Sequence, residues 1–132
     1  MEKVRKLLES KNIRPTYQRL KILKYLTESK EHPTVDRIYG VMKKDIPTIS
    51  KTTVYNTLNS LVEAGVALPI IITGKEARFD SNVMPHHHFY CEKCGKILDL
   101  KVECEHFKKG SIHGHSIKEL HGYYKGICKN CL

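Results

Sequence analysis

The stretch from Pro85 to Asp99, PHHHFYCEKCGKILD, places three histidines, two cysteines and an aspartate within fifteen residues. All of these side chains can bind metal: thiolates suit zinc, imidazole suits zinc, iron and copper, and carboxylates suit harder ions such as manganese. The two cysteines form Cys91-Glu92-Lys93-Cys94, and a second C-x-x-C, Cys128-Lys129-Asn130-Cys131, follows after 33 intervening residues. Each C-x-x-C turn presents two sulfurs to one ion, so two turns supply the closed tetrahedral shell that structural zinc takes. A redox dithiol is the rival chemistry of a single C-x-x-C, and a matched pair favours zinc. The gap between the knuckles exceeds that of a compact zinc ribbon, so strands must bring them together. Cys104 stands outside the pattern and reads as an incidental or buried thiol.

With four cysteines assigned, His32, Asp80, His86, His87, His88 and Asp99 still border the same region. If His86–His88 is extended, His86 and His88 point to one face and His87 to the other. A cluster of imidazoles and carboxylates suits a borderline ion with open or labile positions, Fe(II), Mn(II) or Zn(II), better than a thiolate-loving metal. A lone histidine is more often a solvated or structural residue; clustering is what favours a ligand here.

The elements that must position these residues fall into two groups. Residues 1–65 carry apolar positions at helical spacing in VRKLLESKNI, YQRLKILKYL, VDRIYGVMKK and TTVYNTLNSLVEAG, which predicts four helices. Thr16, Thr34 and Ser50 stand where they can cap the second, third and fourth, and Gly65 supplies a stop. VALPIIITGKEARFD then reads as two strands around a Gly74-Lys75 turn. Helices followed by a hairpin predict a winged helix-turn-helix. From Val83 onward the strand-like pieces HFYC, KILDL and GYYKGIC surround a polar segment that holds all five cysteines and seven of the eight histidines. The expected fold is therefore α+β, with a winged-helix domain and hinge over residues 1–82 and a small α/β domain with a zinc-bound C-terminus over residues 83–132. A piece of about fifty residues cannot build a large core and needs a metal or a partner chain.

The chain has 23 Lys/Arg against 14 Asp/Glu, and residues 1–30 alone hold nine against three. Such asymmetry predicts a polyanionic partner, nucleic acid first, over a merely solvated basic face. No run of about eighteen apolar residues occurs, and the opening MEKVRKLLES is charged and helix-like rather than a signal peptide. With an odd cysteine count this predicts a cytoplasmic protein in a reducing compartment and no membrane partner.

RPTYQRLKIL at Arg14–Leu23, HPTVDRIY at His32–Tyr39, ISKTTVYNTLNSLVEAG at Ile49–Gly65, RFD at Arg78–Asp80 and HHHFYCEKCGKILDL together resemble the Fur superfamily of metal-dependent transcription regulators, and the likeness runs over essentially the whole chain. The resemblance implies a homodimer with an N-terminal winged helix-turn-helix, a C-terminal dimerisation domain and a hinge that bears a sensory metal. Within the family the chain looks most like the peroxide-regulator branch, PerR, because Asp80 and Asp99 stand where iron-uptake members usually carry glutamates, and Asn56 where they commonly carry arginine. Carried over residue by residue, the likeness gives His32, Asp80, His86, His88 and Asp99 as the regulatory site for Fe2+ or Mn2+, beside structural Zn2+ on Cys91, Cys94, Cys128 and Cys131. Pro85 and Leu120 fall where many members place histidines of an additional metal site, so the resemblance does not extend to a third site. His87, His106, His113, His115 and His121 are then read as solvated.

Motif position sends the helix beginning near Ser50 into the major groove of a palindromic operator, with Ser50, Lys51, Thr52, Tyr55 and Asn56 facing DNA. Arg14 and Arg19 read as phosphate or minor-groove anchors, and Val54, Leu58, Leu61 and Val62 as core. The branch implies that Fe(II) reacts with hydrogen peroxide and oxidises a ligand histidine, His32 or His86, releasing a repressor from DNA. The alternative is a Fur-type regulator of iron or other metal uptake without that chemistry. Either way the protein is expected not to be an enzyme and to bind no small organic substrate. A zinc hydrolase leaves the basic helical head without a purpose, and a zinc-ribbon RNA binder has only Phe89, Tyr90, Tyr123 and Tyr124 for stacking.

Overall fold

In a computed structural model of the chain, the described residues are 1–71, 76–82, 87–100, 109–118 and 122–132. They divide into two units, Met1–Val83 and Met84–Leu132. Among the described residues no helix is long and apolar enough to cross a membrane.

The first unit opens with four helices: α1 Glu2–Ser10, α2 Tyr17–Glu28, α3 Val35–Asp45 and α4 Lys51–Glu63. Three begin at a hydroxyl cap, since Thr16, Thr34 and Ser50 accept the backbone N–H of Arg19, Arg37 and Thr53 respectively. Each cap satisfies a donor that the first helical turn leaves open, an effect of about 1 kcal/mol. α4 stops in a Schellman arrangement: the Gly65 N–H donates to Val62 O and the Val66 N–H to Leu61 O. Gly65 takes φ +78 there, a left-handed conformation that a side chain disfavours.

The helices are held by one apolar core. Leu8 from α1, Ile22, Leu23 and Leu26 from α2, Ile38 from α3 and Val54, Leu58 and Leu61 from α4 are essentially without solvent contact, and Phe79 closes the layer from the sheet side. Burying each large side chain contributes about 2 kcal/mol. The sheet pairs β1 Leu68–Ile70 antiparallel with β2 Arg78–Asp80, Leu68 standing opposite Asp80. The predicted Gly74-Lys75 turn lies outside the described residues. On its other side β2 is joined by the segment before α3, through a Thr34–Arg78 bridge and the Phe79 N–H donating to Pro33 O at 3.0 Å.

In the second unit, β4 Ile97–Leu100, β3 His87–Cys91 and β7 Tyr124–Gly126 form a sheet in the order β4-β3-β7. β3 runs antiparallel to β4 and parallel to β7. The parallel pairing was not legible in the sequence, where GYYKGIC read only as a strand. A small hairpin, β5 Ser111–Ile112 and β6 His115–Ser116, turns through His113-Gly114, both at positive φ. Among the described residues, the apolar side chains buried here are Cys91, Ile97 and Cys128.

Candidate metal centres and nucleic-acid interface

The thiolate cluster follows from strand register. Pairing Cys91 with Gly126 across the parallel β3–β7 contact carries Cys128, two residues on, to the side of Cys91. The Glu92 N–H donates to Gly126 O at 2.8 Å and fixes that alignment. The first knuckle is the turn from β3 to β4, closed by the Gly95 N–H donating to Cys91 O and the Cys91 N–H to Lys96 O. The second knuckle closes through the Cys131 N–H to Cys128 O, and Lys93 Nζ donates across to Cys131 O at 3.2 Å. The four Sγ atoms thereby lie within 4.8 Å of one another, and Cys94 and Cys128 stand 3.9 Å apart. Sulfurs about 2.3 Å from a tetrahedral zinc are about 3.8 Å apart, so the donor set fits that ion.

Electrostatics point the same way. The backbone N–H groups of Cys128 and Cys94, each 3.4 Å from Cys91 Sγ, hold that thiol down at about 6. Cys131 is pushed up to about 12, chiefly by the neighbouring Cys128 thiol and then by burial. The Cys91 thiolate forms readily, and Cys131 keeps its proton until a dication displaces it. None of the four is in a disulfide.

Two histidine–aspartate pairs come from the same cross-strand logic, one in each unit. In the second unit His88 of β3 stands directly opposite Asp99 of β4, and Nε2 lies 3.4 Å from Oδ1. In the first unit the Thr34–Arg78 bridge, continued one step through Pro33 and Phe79, sets His32 opposite Asp80, with Nε2 3.4 Å from Oδ2. Charge-assisted N–H···O bonds shorten to about 2.7–2.9 Å. Two donors bound at about 2.1 Å to one ion instead lie about 3.0 Å apart at a right angle and about 3.4 Å apart at the tetrahedral angle. His32, Asp80 and His88 are buried, whereas Asp99 is exposed. Each pair therefore has the spacing of two donors to a nitrogen- and oxygen-ligated divalent ion. His86 lies outside the described residues, as do Cys104, His106 and His121. His113 and His115 are exposed on the small hairpin, and His87 faces Tyr124 with ring centroids 5.8 Å apart.

Two residues that sequence reasoning did not single out position the first pair. The Asn82 N–H donates to Asp80 Oδ1 at 3.0 Å, which leaves Oδ2 turned to His32. Arg78 Nη1 lies 3.4 Å from both Glu31 O and His32 O. It braces a backbone that needs bracing, since His32 sits at φ +52 and a left-handed non-glycine residue costs about 1–2 kcal/mol. The available signal was alternation: Arg78 and Asp80 share one face of β2.

Most of the predicted nucleic-acid residues are exposed. Ser50, Lys51, Thr52, Tyr55 and Asn56 are all exposed on α4, while Val54, Thr57, Leu58 and Leu61 on the opposite face are buried. Tyr55 is 53% exposed, a large aromatic turned to solvent without an apolar reason. Arg14 is exposed, and the half-buried Arg19 spans the turn before α2 by donating from Nη1 to Arg14 O at 3.0 Å.

Residues 10–123 match the ferric uptake regulator family. The chain is 35% identical over 127 residues to the peroxide-responsive repressor PerR of Staphylococcus aureus, covering 94% of this chain and 86% of that one. It superposes on the Campylobacter jejuni peroxide stress regulator with a TM-score of 0.73 at 32% identity, over 98% and 97% of the two chains. The Helicobacter pylori ferric uptake regulator Fur, whose structure is described as having three functional metal binding sites, gives a TM-score of 0.76 at 20% identity over 98% and 89%, a likeness of fold.

Proposed function

Because the chain belongs to the ferric uptake regulator family, we propose that it is a metal-dependent repressor that binds duplex DNA as a homodimer and senses hydrogen peroxide. In this reading residues 1–82 are the DNA-binding winged helix with its hinge, and residues 83–132 form the dimerisation domain. Cys91, Cys94, Cys128 and Cys131 hold a structural zinc. His32, Asp80, His86, His88 and Asp99 hold one regulatory Fe(II) or Mn(II).

The observation that carries the regulatory site is the recurrence of one device, a cross-strand His–Asp pair at 3.4 Å, once in each unit. An ion shared by both pairs links the head to the dimerisation domain. Metal then favours the arrangement in which two recognition helices match two half-sites of a palindromic operator, so metal and DNA each raise the affinity for the other. The all-aspartate carboxylate set and the likeness to the Staphylococcus aureus repressor, named for its response to peroxide, support the peroxide branch.

Fe(II) held by these residues would supply the electron that opens the O–O bond of peroxide, so that one oxygen adds to a ring carbon of a ligand histidine and the other leaves as water. The chain contributes the oxidisable rings, foremost His32 and His86. A ring that gains oxygen is a poorer ligand, and loss of the ion releases the repressor. This chemistry consumes the protein and is not catalysis. The test is anisotropy of a labelled operator with Mn(II)- and Fe(II)-loaded protein, before and after brief peroxide. Release confined to the iron form supports the reading. Binding that follows free metal and ignores peroxide makes the chain a metal-uptake regulator instead.

A further inference from the structure

Lys51 carries a charge that its place in α4 disfavours, because it is the first helical residue after the Ser50 cap, at the positive end of the macrodipole. Its ammonium lies 2.8 Å from Asp36 Oδ1 of α3 and 5.7 Å from the Tyr39 ring centroid. Tyr39 is held in turn by Lys43, whose Nζ donates to the phenol oxygen at 3.0 Å and lies 5.3 Å from the ring. Asp36, Tyr39 and Lys43 follow one another at three and four residues, so they form one face of α3 directed at the start of α4.

The ion pair does little for stability. Its side chains are 59% and 61% exposed, and an exposed pair between water-accessible groups contributes little to folding. Its geometry is instead that of a charge-assisted bond between an ammonium and an oxyanion. A backbone phosphate is an oxyanion too, and Lys51 stands beside Thr52, Tyr55 and Asn56 on the exposed face of α4. We propose that Asp36 is an internal competitor for phosphate, holding Lys51 and setting how strongly, and with what salt dependence, the chain grips duplex DNA of any sequence. The inference rests on the DNA-binding reading above.

Its consequences are quantitative. A lysine that stays bridged to Asp36 brings no net charge to a phosphate, and one that leaves Asp36 exposes a carboxylate to the polyanion. Either way one counterion release is forfeited. Each phosphate neutralised steepens the dependence of log K on log salt by about 0.9, which at 0.1 M salt corresponds to about eightfold in affinity. Phosphate contacts carry no sequence information, so operator and random duplex change together.

The experiment uses the full-length, zinc-loaded, Mn(II)-saturated protein, a duplex selected by that protein from a random library, and a scrambled copy. Affinities are measured by anisotropy between about 50 and 200 mM salt. Asp36→Asn is expected to bind both duplexes more tightly, by up to about eightfold, with a slope steeper by about 0.9. Lys51→Gln leaves Asp36 unpaired beside the polyanion and is expected to bind more weakly than the parent, while the double variant is expected to bind no more tightly than the parent and without the steeper slope. An Asp36→Asn protein whose affinity and slope equal the parent's overturns the proposal, as does a double variant that matches Asp36→Asn in affinity and slope. If the parent binds no duplex with metal present, the DNA-binding reading itself fails and takes this inference with it.

Discussion

Replacing Cys91 by serine tests the division of labour between the metal centres. Cys91 is fully buried, and its sulfur accepts the N–H groups of Cys94 and Cys128, so it ties one knuckle to the other. Serine offers a hard hydroxyl that zinc does not accept in place of a thiolate, and it leaves three sulfurs where a closed shell needs four. Structural zinc contributes about 10–16 kcal/mol in small domains at neutral pH. Total stabilities are about 5–15 kcal/mol, and a unit of about fifty residues cannot build a core large enough to offset such a loss. Cys91→Ser is therefore expected to lose its zinc and unfold the second unit, while the first keeps its own core of Leu8, Ile22, Leu23, Leu58 and Leu61. Native mass spectrometry counts the zinc, and hydrogen exchange resolved by peptide reads each unit. Retention of one zinc per chain with unchanged protection in β3, β4 and β7 would show that the second unit does not depend on the four-thiolate zinc.

Asp99→Ala removes an exposed carboxylate and should leave zinc content and dimer mass intact while abolishing operator binding on Mn(II) addition; simultaneous loss of zinc argues against two separate sites. Arg78→Ala removes the brace on His32 and should weaken the regulatory ion by about 10–100-fold, the range for groups that orient a ligand; an unchanged Mn(II) titration counts against that role. Tyr55→Ala should lower operator affinity with a melting temperature within about 2 °C of the parent, because the ring is more than half exposed. Thr34→Ala deletes the α3 cap and should cost about 1 kcal/mol of stability by chemical denaturation.

Local chemistry was the legible part of the sequence. Thr16, Thr34 and Ser50 stand before apolar periods, and each caps its helix. Gly65 follows one and ends it, because only a residue free to take positive φ completes that turn. The two C-x-x-C segments announced a four-sulfur cluster, and its sulfurs do converge. What spacing could not convey was register between distant segments. Nothing in GYYKGIC says that it runs parallel to β3, yet that pairing is what sets Cys128 beside Cys91. His32 and Asp80 stood among a loose set of candidate imidazoles and carboxylates, and their apposition depends on a single bridge between Thr34 and Arg78. Asp36 and Lys51 lie on different helices, and no local pattern joins them. Pairings of this kind are decided by the packing of whole elements, which a reading of nearest neighbours along the chain does not contain.

Peroxide sensing as proposed requires that a histidine of the regulatory site be the oxidised group. Peptide mass spectrometry after anaerobic Fe(II) loading and brief peroxide exposure, with a Mn(II)-loaded control, addresses it directly. A gain of one oxygen on His32, His86 or His88 is expected in the iron sample alone, in step with loss of operator binding. Unmodified histidines in a sample that has nevertheless left its operator, or equal modification with manganese, contradicts it.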